Sequence, residues 1–349
     1  MSRSLSHKPP RQSNMELLRI LAMLLVLIVH ADFYSLGAPG PTDFAVSPAG
    51  SVTRVSFEFI SIVGVNVFVL ISGWFGIRPT VRGAAKLIFQ CSFFGLLAYA
   101  ILLYLHLKPF SVMLLAGAVT GSRLWFVPAY LALMVVAPAL NAFVQSVPRK
   151  KVKAIIIAFF VFQTAYANIG LDRNPFLGGY SVFSFIGLYL LARYINEYKL
   201  LKHTVISSPP KFILLFFICV SVNVCLYYVL VTAGYRFEYV LTQYINPLNI
   251  IGALALMLAF ASMKPWYNKL INLVGASAFA VYLLHCSLLQ SFSDLMLDLY
   301  GRFPGFGYVL AAGTAIIAIY ILSVALDQIR ILLWNSIVLV SSKFKSANV

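Results

Sequence analysis

Charge is scarce in this chain. Only 10% of its 349 residues are Asp, Glu, Lys or Arg, and of these just 10 are acidic. A soluble domain carries roughly 25% charged residues, so the shortfall excludes a water-soluble fold. Cysteine is scarce too. Cys91, Cys219, Cys225 and Cys286 all lie inside apolar stretches without metal-ligand spacing, which points to buried thiols rather than a disulfide framework or a zinc site. No metal and no redox chemistry is expected. There is no repeat at a solenoid period, and no polar stretch long enough to fold as a second, soluble domain.

Apolar surface is what the chain has in excess. It is 61% hydrophobic and 15% aromatic, with a mean hydropathy of +0.90. A bilayer core about 30 Å thick takes ~20 apolar residues per helix. Ten such stretches occur, at about 15–36, 56–77, 84–106, 123–145, 152–170, 177–196, 211–233, 244–262, 271–293 and 306–334. The expected fold is therefore all-α: a polytopic membrane protein of about ten transmembrane helices. Residues 107–122 are apolar but short and read as a re-entrant or interfacial piece, and the stretch Asp327 to Lys345 has the alternation of an interfacial amphipathic helix.

Lysine and arginine give the orientation, because basic loops resist translocation. With the N-terminus in the cytoplasm, 19 of the 26 fall on the cytoplasmic side and six opposite, with Arg19 inside the first helix. The net charge of +16 is thus a topology signal rather than a nucleic-acid patch. Both termini are expected in the cytoplasm, as a basic tail over 1–14 and a second tail over 336–349, flanking a membrane domain over 15–335. The first stretch resembles a signal peptide in its basic start, but it is longer than a usual h-region and nine further spans follow it.

Ionisable groups in a span cost ~2.5–3.5 kcal/mol or more at the bilayer centre and so mark function. Arg19 and His30 are 11 residues apart. At ~100° per residue they share one face of the first helix, about 16 Å apart along its axis. That face either carries a cation and a base, or both side chains snorkel to opposite interfaces. The second stretch carries Glu58, Asn66 and Ser72, of which the last two also suit interhelical glue. Its glycines, Gly64 and Gly73, allow close backbone approach. Arg78 and Arg82, at i and i+4 after that span, fit a diphosphate and equally fit a topology-setting loop. Arg123 and Trp125 open the fourth stretch, where aromatics form interfacial belts by default. Tyr282 and His285 sit at i and i+3 in the ninth, and a lone His there is more often packed than catalytic.

The stretch from Asn14 to Arg19 with His30, GVNVFVLISGWFGI (64–77), LWFVPAYLALMVVAPALN (124–141) and AVYLLH (280–285) occur in that order, and with them the chain resembles the membrane acyltransferase 3 family of multi-spanning O-acyltransferases. The likeness runs over about 15–335. Many members carry Asp where Asn66 stands, so no carboxylate role passes to that position. The soluble domain that some members append is not expected.

The resemblance implies transfer of an acyl group, usually acetyl, from cytoplasmic acyl-CoA to a hydroxyl of a glycan or glycolipid at the other face of the plasma membrane. Acetyl-CoA is then the donor, with no metal and no nucleic acid involved. An alcohol attacking a thioester needs a base near neutrality, which assigns His30 as general base or transient acyl carrier, with Arg19 orienting the donor and Glu58 orienting His30. Arg78 and Arg82 would hold the CoA diphosphate. Asn66, Ser72, Arg123, Trp125, Tyr282 and His285 would line the cavity. The rival class is a transporter or glycan-handling membrane protein without covalent chemistry, in which His30, Glu58 and His285 relay protons. The matched broken helices of a transporter are not visible in two halves.

Overall fold

The computed structural model describes residues 11–167, 175–202, 208–235 and 238–347. The start of the basic tail, with Arg3 and Lys8, and the loop cations Arg173 and Arg236 lie outside them. Every regular element among the described residues is helical. In chain order these are α1 (Ser13–Val29, prolonged by a π-turn His30–Tyr34), α2 (Pro41–Val46), α3 (Pro48–Ser61), α4 (Gly64–Phe75), α5 (Val81–Tyr104), α6 (Val112–Thr120), α7 (Phe126–Ser146) and α8 (Arg149–Ala167). They continue with α9 (Val182–Glu197), α10 (Pro209–Thr232), α11 (Glu238–Leu241), α12 (Pro247–Ala261), α13 (Lys269–Ala276), α14 (Ala278–Ser287), α15 (Leu289–Arg302) and α16 (Phe306–Ala347).

Seven helical stretches are long and apolar enough to cross a membrane: Ser13–Tyr34, Pro48–Phe75, Val81–Tyr104, Phe126–Ser146, Pro209–Thr232, Lys269–Ser287 and Phe306–Ser341. The three other expected spans are helices that fall short for physical reasons. α8 opens on Arg149, Lys150, Lys151 and Lys153, while α9 has 16 residues and α12 has 15. α9 and α12 are mostly buried among their neighbours. A helix jacketed by protein need not match the hydrocarbon thickness that lipid imposes on an outer one.

Several spans are broken where the sequence reads as continuous. α3 and α4 meet at Ile62–Val63. The ninth expected span is divided at Ser277, and Leu288 then separates α14 from α15. The piece expected between 107 and 122 is the nine-residue α6, fastened to α5 by Ser92 Oγ donating to Val119 O (2.6 Å). α16 is one helix of 42 residues and does not turn into a separate interfacial segment at Asp327. The reason is an internal ion pair. Arg330 donates to Asp327 Oδ1 through Nε (2.9 Å) and Nη2 (2.7 Å), Gln90 of α5 donates to the same oxygen (3.2 Å), and both charged residues are buried. A paired charge can stay inside the bundle where an isolated one cannot.

α4 is the packing centre, set against α1, α9 and α12. A Cβ on Gly64 would stand 2.7 Å from Ala22 O, and one on Gly73 would collide with the backbone carbonyl of Tyr189. Only glycine permits these two approaches. The cysteines are free, and the expectation of burial holds for Cys91 and Cys219, while Cys286 is half-buried and Cys225 faces outward. On a helix in lipid the outward face is also apolar, so a thiol meets no penalty there.

Candidate active site

The start of α1 is pinned before the helix begins to cross. Ser13 Oγ donates to Asn272 Oδ1 (2.8 Å), Asn14 Nδ2 donates to Phe260 O (2.9 Å), and the Ser13 amide donates to Trp266 O (2.9 Å). These ties to α12 and α13 fix the height of Arg19 one and a half turns later. Arg19 Nη1 donates to Glu16 Oε1 (2.6 Å), with Arg11 reaching the same oxygen at 3.4 Å. The Arg19 guanidinium lies 5.8 Å from the centre of the Phe75 ring. Glu16 itself is buried and backs onto Gly275, where a Cβ would be 2.8 Å from it.

Above Arg19 opens a cavity of about 250 Å³ lined by Arg11, Arg19, Ser72, Gln90, Tyr130 and Phe279 among others. Ser72 donates to Phe68 O (2.9 Å) and shares a hydrogen bond with the Tyr130 hydroxyl (3.2 Å). The aromatic wall continues inward: Phe126 stacks on Tyr130 (5.5 Å) and touches Tyr282 (5.5 Å), and Tyr282 stacks on Phe279 (5.8 Å). Tyr282 then meets His285 edge-on at 6.1 Å.

At the far end of α1 the two histidines form a pair. His30 Nδ1 is 3.1 Å from His285 Nε2, and His285 Nδ1 is 2.7 Å from Val281 O. A carbonyl only accepts, so His285 Nδ1 carries a proton and Nε2 of the neutral ring is an acceptor. His30 Nδ1 is then the donor between the rings, and the neutral His30 is left with its lone pair on Nε2. His285 is 2% exposed, which holds this arrangement rigid, while His30 is only partly covered. Cys286 Sγ lies 3.3 Å from the same His285 nitrogen. The π-turn begins at His30. Such a turn leaves backbone groups to be satisfied elsewhere, here by Ser35 Oγ donating to His30 O (2.6 Å) and Tyr308 OH donating to Ala31 O (2.5 Å).

Of the residues expected at the site, Arg19 and Ser72 line the first cavity, and His30, His285 and Tyr282 form the layer beyond it. The contact that orients His30 comes from His285 rather than from Glu58. α3 does pack beside α1, but Glu58 sits buried one turn from Arg54 with its Oε2 unpartnered. Asn66 is interhelical glue, donating to Tyr244 O (2.8 Å). Trp125 lies outside this cavity in an aromatic cluster with Tyr180 (4.4 Å) and Tyr244 (6.0 Å), and Arg123 is exposed, packed over Gly117. Arg78 and Arg82 are exposed and do not line the cavity. Their loop is nonetheless held, because Asn141 Nδ2 donates to Ile77 O (2.9 Å) and the Ile77 amide donates to the Tyr189 hydroxyl (2.8 Å).

Two residues escaped the sequence reading. Asp32, two residues after His30, accepts Arg54 Nε at 2.6 Å, and Arg54 Nη2 reaches Gly37 O (2.5 Å). A carboxylate so close to the end of an apolar helix was the available signal.

No curated protein and no solved structure matches the chain. The family model for the acyltransferase domain, Acyl_transf_3, matches residues 12–327, a segment that contains both histidines and Arg19, and the chain accordingly belongs to the acyltransferase 3 family.

Proposed function

We propose that this membrane acyltransferase takes an acyl group, acetyl in the simplest case, from acyl-CoA at the cytoplasmic side of the plasma membrane and places it on a hydroxyl of a glycan or glycolipid at the other side. The observation that carries the reading is the chain from His30 to His285 to Val281 O, which leaves His30 Nε2 as an oriented base. His30 Nε2 accepts the proton of the acceptor hydroxyl as its oxygen attacks the thioester carbonyl. The tetrahedral intermediate then collapses, the C–S bond breaks, and the imidazolium returns the proton to the departing thiolate. The products are an ester and free CoA. His285 accepts a hydrogen bond from His30 Nδ1 and stabilises the imidazolium that forms.

Arg19 and Arg11 suit the anionic end of the donor. Arg19 spends Nη1 on Glu16 and keeps Nε and Nη2 for a phosphate. The ~16 Å between Arg19 and His30 is a distance that an extended pantetheine arm spans. Arg78 and Arg82 stand at the rim of the same side for the outer phosphates. The basic-residue asymmetry supports cytoplasmic termini, and α8, α9 and α12 complete ten crossings. Purified protein given radiolabelled acetyl-CoA should release acetate slowly without acceptor, and cells should incorporate the label into glycan in a manner that needs this chain. A protein that consumes no acetyl-CoA in either assay is a transporter or a structural subunit, and the reading fails.

A further inference from the structure

Three metal-ligating atoms meet where α1 passes into its π-turn. His30 Nδ1, His285 Nε2 and Cys286 Sγ all lie within 4.8 Å of one another. The two nitrogens are 3.1 Å apart, and the sulfur is 3.3 Å from His285 Nε2. Among the described residues this is the one group of three or more His, Cys, Asp or Glu side chains with its ligand atoms so gathered. Spacing along the chain does not disclose it, because one member follows α1 and the other two close α14.

Those separations are close to the ones a metal ion imposes. With bonds of about 2.0–2.1 Å to nitrogen and ~2.3 Å to sulfur, a tetrahedral zinc ion sets two nitrogens ~3.3 Å apart and a nitrogen ~3.6 Å from a sulfur. His285 is already oriented as a ligand. Its Nδ1 donates to Val281 O at 2.7 Å, so the lone pair of Nε2 faces the other two residues, and this is the second bond that metal-bound histidines ordinarily keep. Its burial holds the ring in place, whereas His30 is only partly covered and Cys286 half-buried, which leaves room to turn and a path of entry. Two imidazoles and a thiolate favour Zn²⁺ over Mg²⁺ or Ca²⁺. Three protein ligands leave a fourth position for water, unlike a closed structural site.

We propose that His30, His285 and Cys286 form a reversible Zn²⁺ site and that the ion switches the enzyme off. The ion sits on the Cys286 side of the line between the two nitrogens and takes the place of the proton they share. That proton leaves His30 Nδ1, one is taken up at His30 Nε2, and the Cys286 thiol proton passes to solvent, so that one proton is released per ion bound. A neutral imidazole that coordinates through Nδ1 carries its hydrogen on Nε2. His30 then presents a donor where acyl transfer needs a base. The binding stands on the ligand geometry alone, and the inhibition rests on the acyl-transfer reading.

The full chain in phosphatidylcholine nanodiscs is titrated with Co²⁺, whose absorption reports tetrahedral geometry and thiolate ligation. One equivalent should give a thiolate-to-cobalt charge-transfer band, and Zn²⁺ should bleach it. In Cys286→Ser the band should vanish, and Zn²⁺ affinity should fall by more than the ~10–100-fold that loss of an outer-shell partner costs. Zn²⁺ should raise the unfolding temperature of the parent chain and not of this variant. Cys225→Ser should keep the band, which separates the site from the exposed thiol. Zn²⁺ should inhibit acyl transfer by the parent chain, a chelator should restore it, and the half-inhibiting concentration should rise in Cys286→Ser by the same factor as the affinity falls. A band that survives Cys286→Ser, or none in the parent chain, overturns the site. Activity lost on chelation would make the ion a cofactor and overturn the switch, as would full binding without inhibition. A chain that consumes no acetyl-CoA with or without metal, yet keeps the cobalt band, sinks the acyltransferase reading and leaves the metal site standing.

Discussion

The cavity at the Arg19 end of α1 holds about 250 Å³ and is rimmed by two arginines, a glutamine and hydroxyls, whereas the one at the His30 end holds about 650 Å³ and sets an ion pair against an apolar helix face. The narrower one gathers cationic side chains, and the wider one sets charged and hydroxyl groups against apolar surface. On the proposed reading α1 acts as a ruler: its N-terminal end, at Arg19, sets where a donor is held, and the His30–His285 pair at its C-terminal end sets where a proton is removed. The two ends are also secured differently. The Arg19 end is tied to α13 by the Ser13 hydroxyl and to α12 by the Asn14 side-chain amide, while the His30 end is tied by a ring-to-ring contact and by hydroxyls that satisfy the carbonyls of a π-turn.

The most damaging break of this comparison is at His30. If its Nε2 is the base, His30→Ala should lower acyl transfer by about 10²–10⁴-fold while acyl-CoA binding persists. His30→Gln should not restore transfer, and normal acylation by that variant, measured as radiolabelled acetyl on glycan, would end the mechanism. In the proposed mechanism His285 acts through its contact with His30 and is a positioning residue. His285→Gln, which keeps an acceptor for His30 Nδ1, should retain more kcat than His285→Ala, with the KM for acyl-CoA similar in both. A purely structural role would instead show as lost folded protein, without that ranking in kcat.

The Arg19 end is sharpened by a smaller effect on KM. Replacing a guanidinium by a single ammonium removes donors that a phosphate uses in pairs. Arg19→Lys should therefore weaken acyl-CoA by about 1–2 kcal/mol, or ~5–30-fold. The Arg78→Lys, Arg82→Lys double variant should weaken it less, because those side chains stand outside the cavity. The opposite ranking, read by isothermal titration with acyl-CoA, would move the donor site out to the rim.

Much of this site was legible one helix at a time. Helical periodicity alone put Arg19 and His30 on one face, and the composition of 64–77 foretold that Gly64 and Gly73 would let backbones close in. What periodicity does not encode is contact between helices 255 residues apart, which is why the sequence reads His285 as a packed or cavity-lining residue and Glu58 as the partner of His30. Arg54 shows a related limit. The hydropathy starts the second span at about 56 and leaves Arg54 outside it, whereas the helix begins at Pro48 and carries Arg54 on α3 beside Asp32. The ten-span expectation erred in uniformity, because a 20-residue rule describes helices that touch lipid, and α9 and α12 mostly touch protein.

The finest distinction concerns the histidine layer and the cysteine beside it. Cys286 lies 3.3 Å from His285 Nε2 and could in principle take the acyl group as a thioester before the acceptor does. The geometry argues against that route. The His285 lone pair on Nε2 already receives His30 Nδ1–H at 3.1 Å, so no free base remains on that ring to deprotonate the thiol. Direct transfer therefore predicts that Cys286→Ser changes the acylation rate by less than about tenfold, under ~1.4 kcal/mol in the barrier, and that rapid quenching with labelled acetyl-CoA leaves no hydroxylamine-sensitive label on the protein. A loss as large as that of His30→Ala, together with such a label on Cys286 in the parent chain, would replace direct transfer by a two-step relay with Cys286 as the acyl carrier.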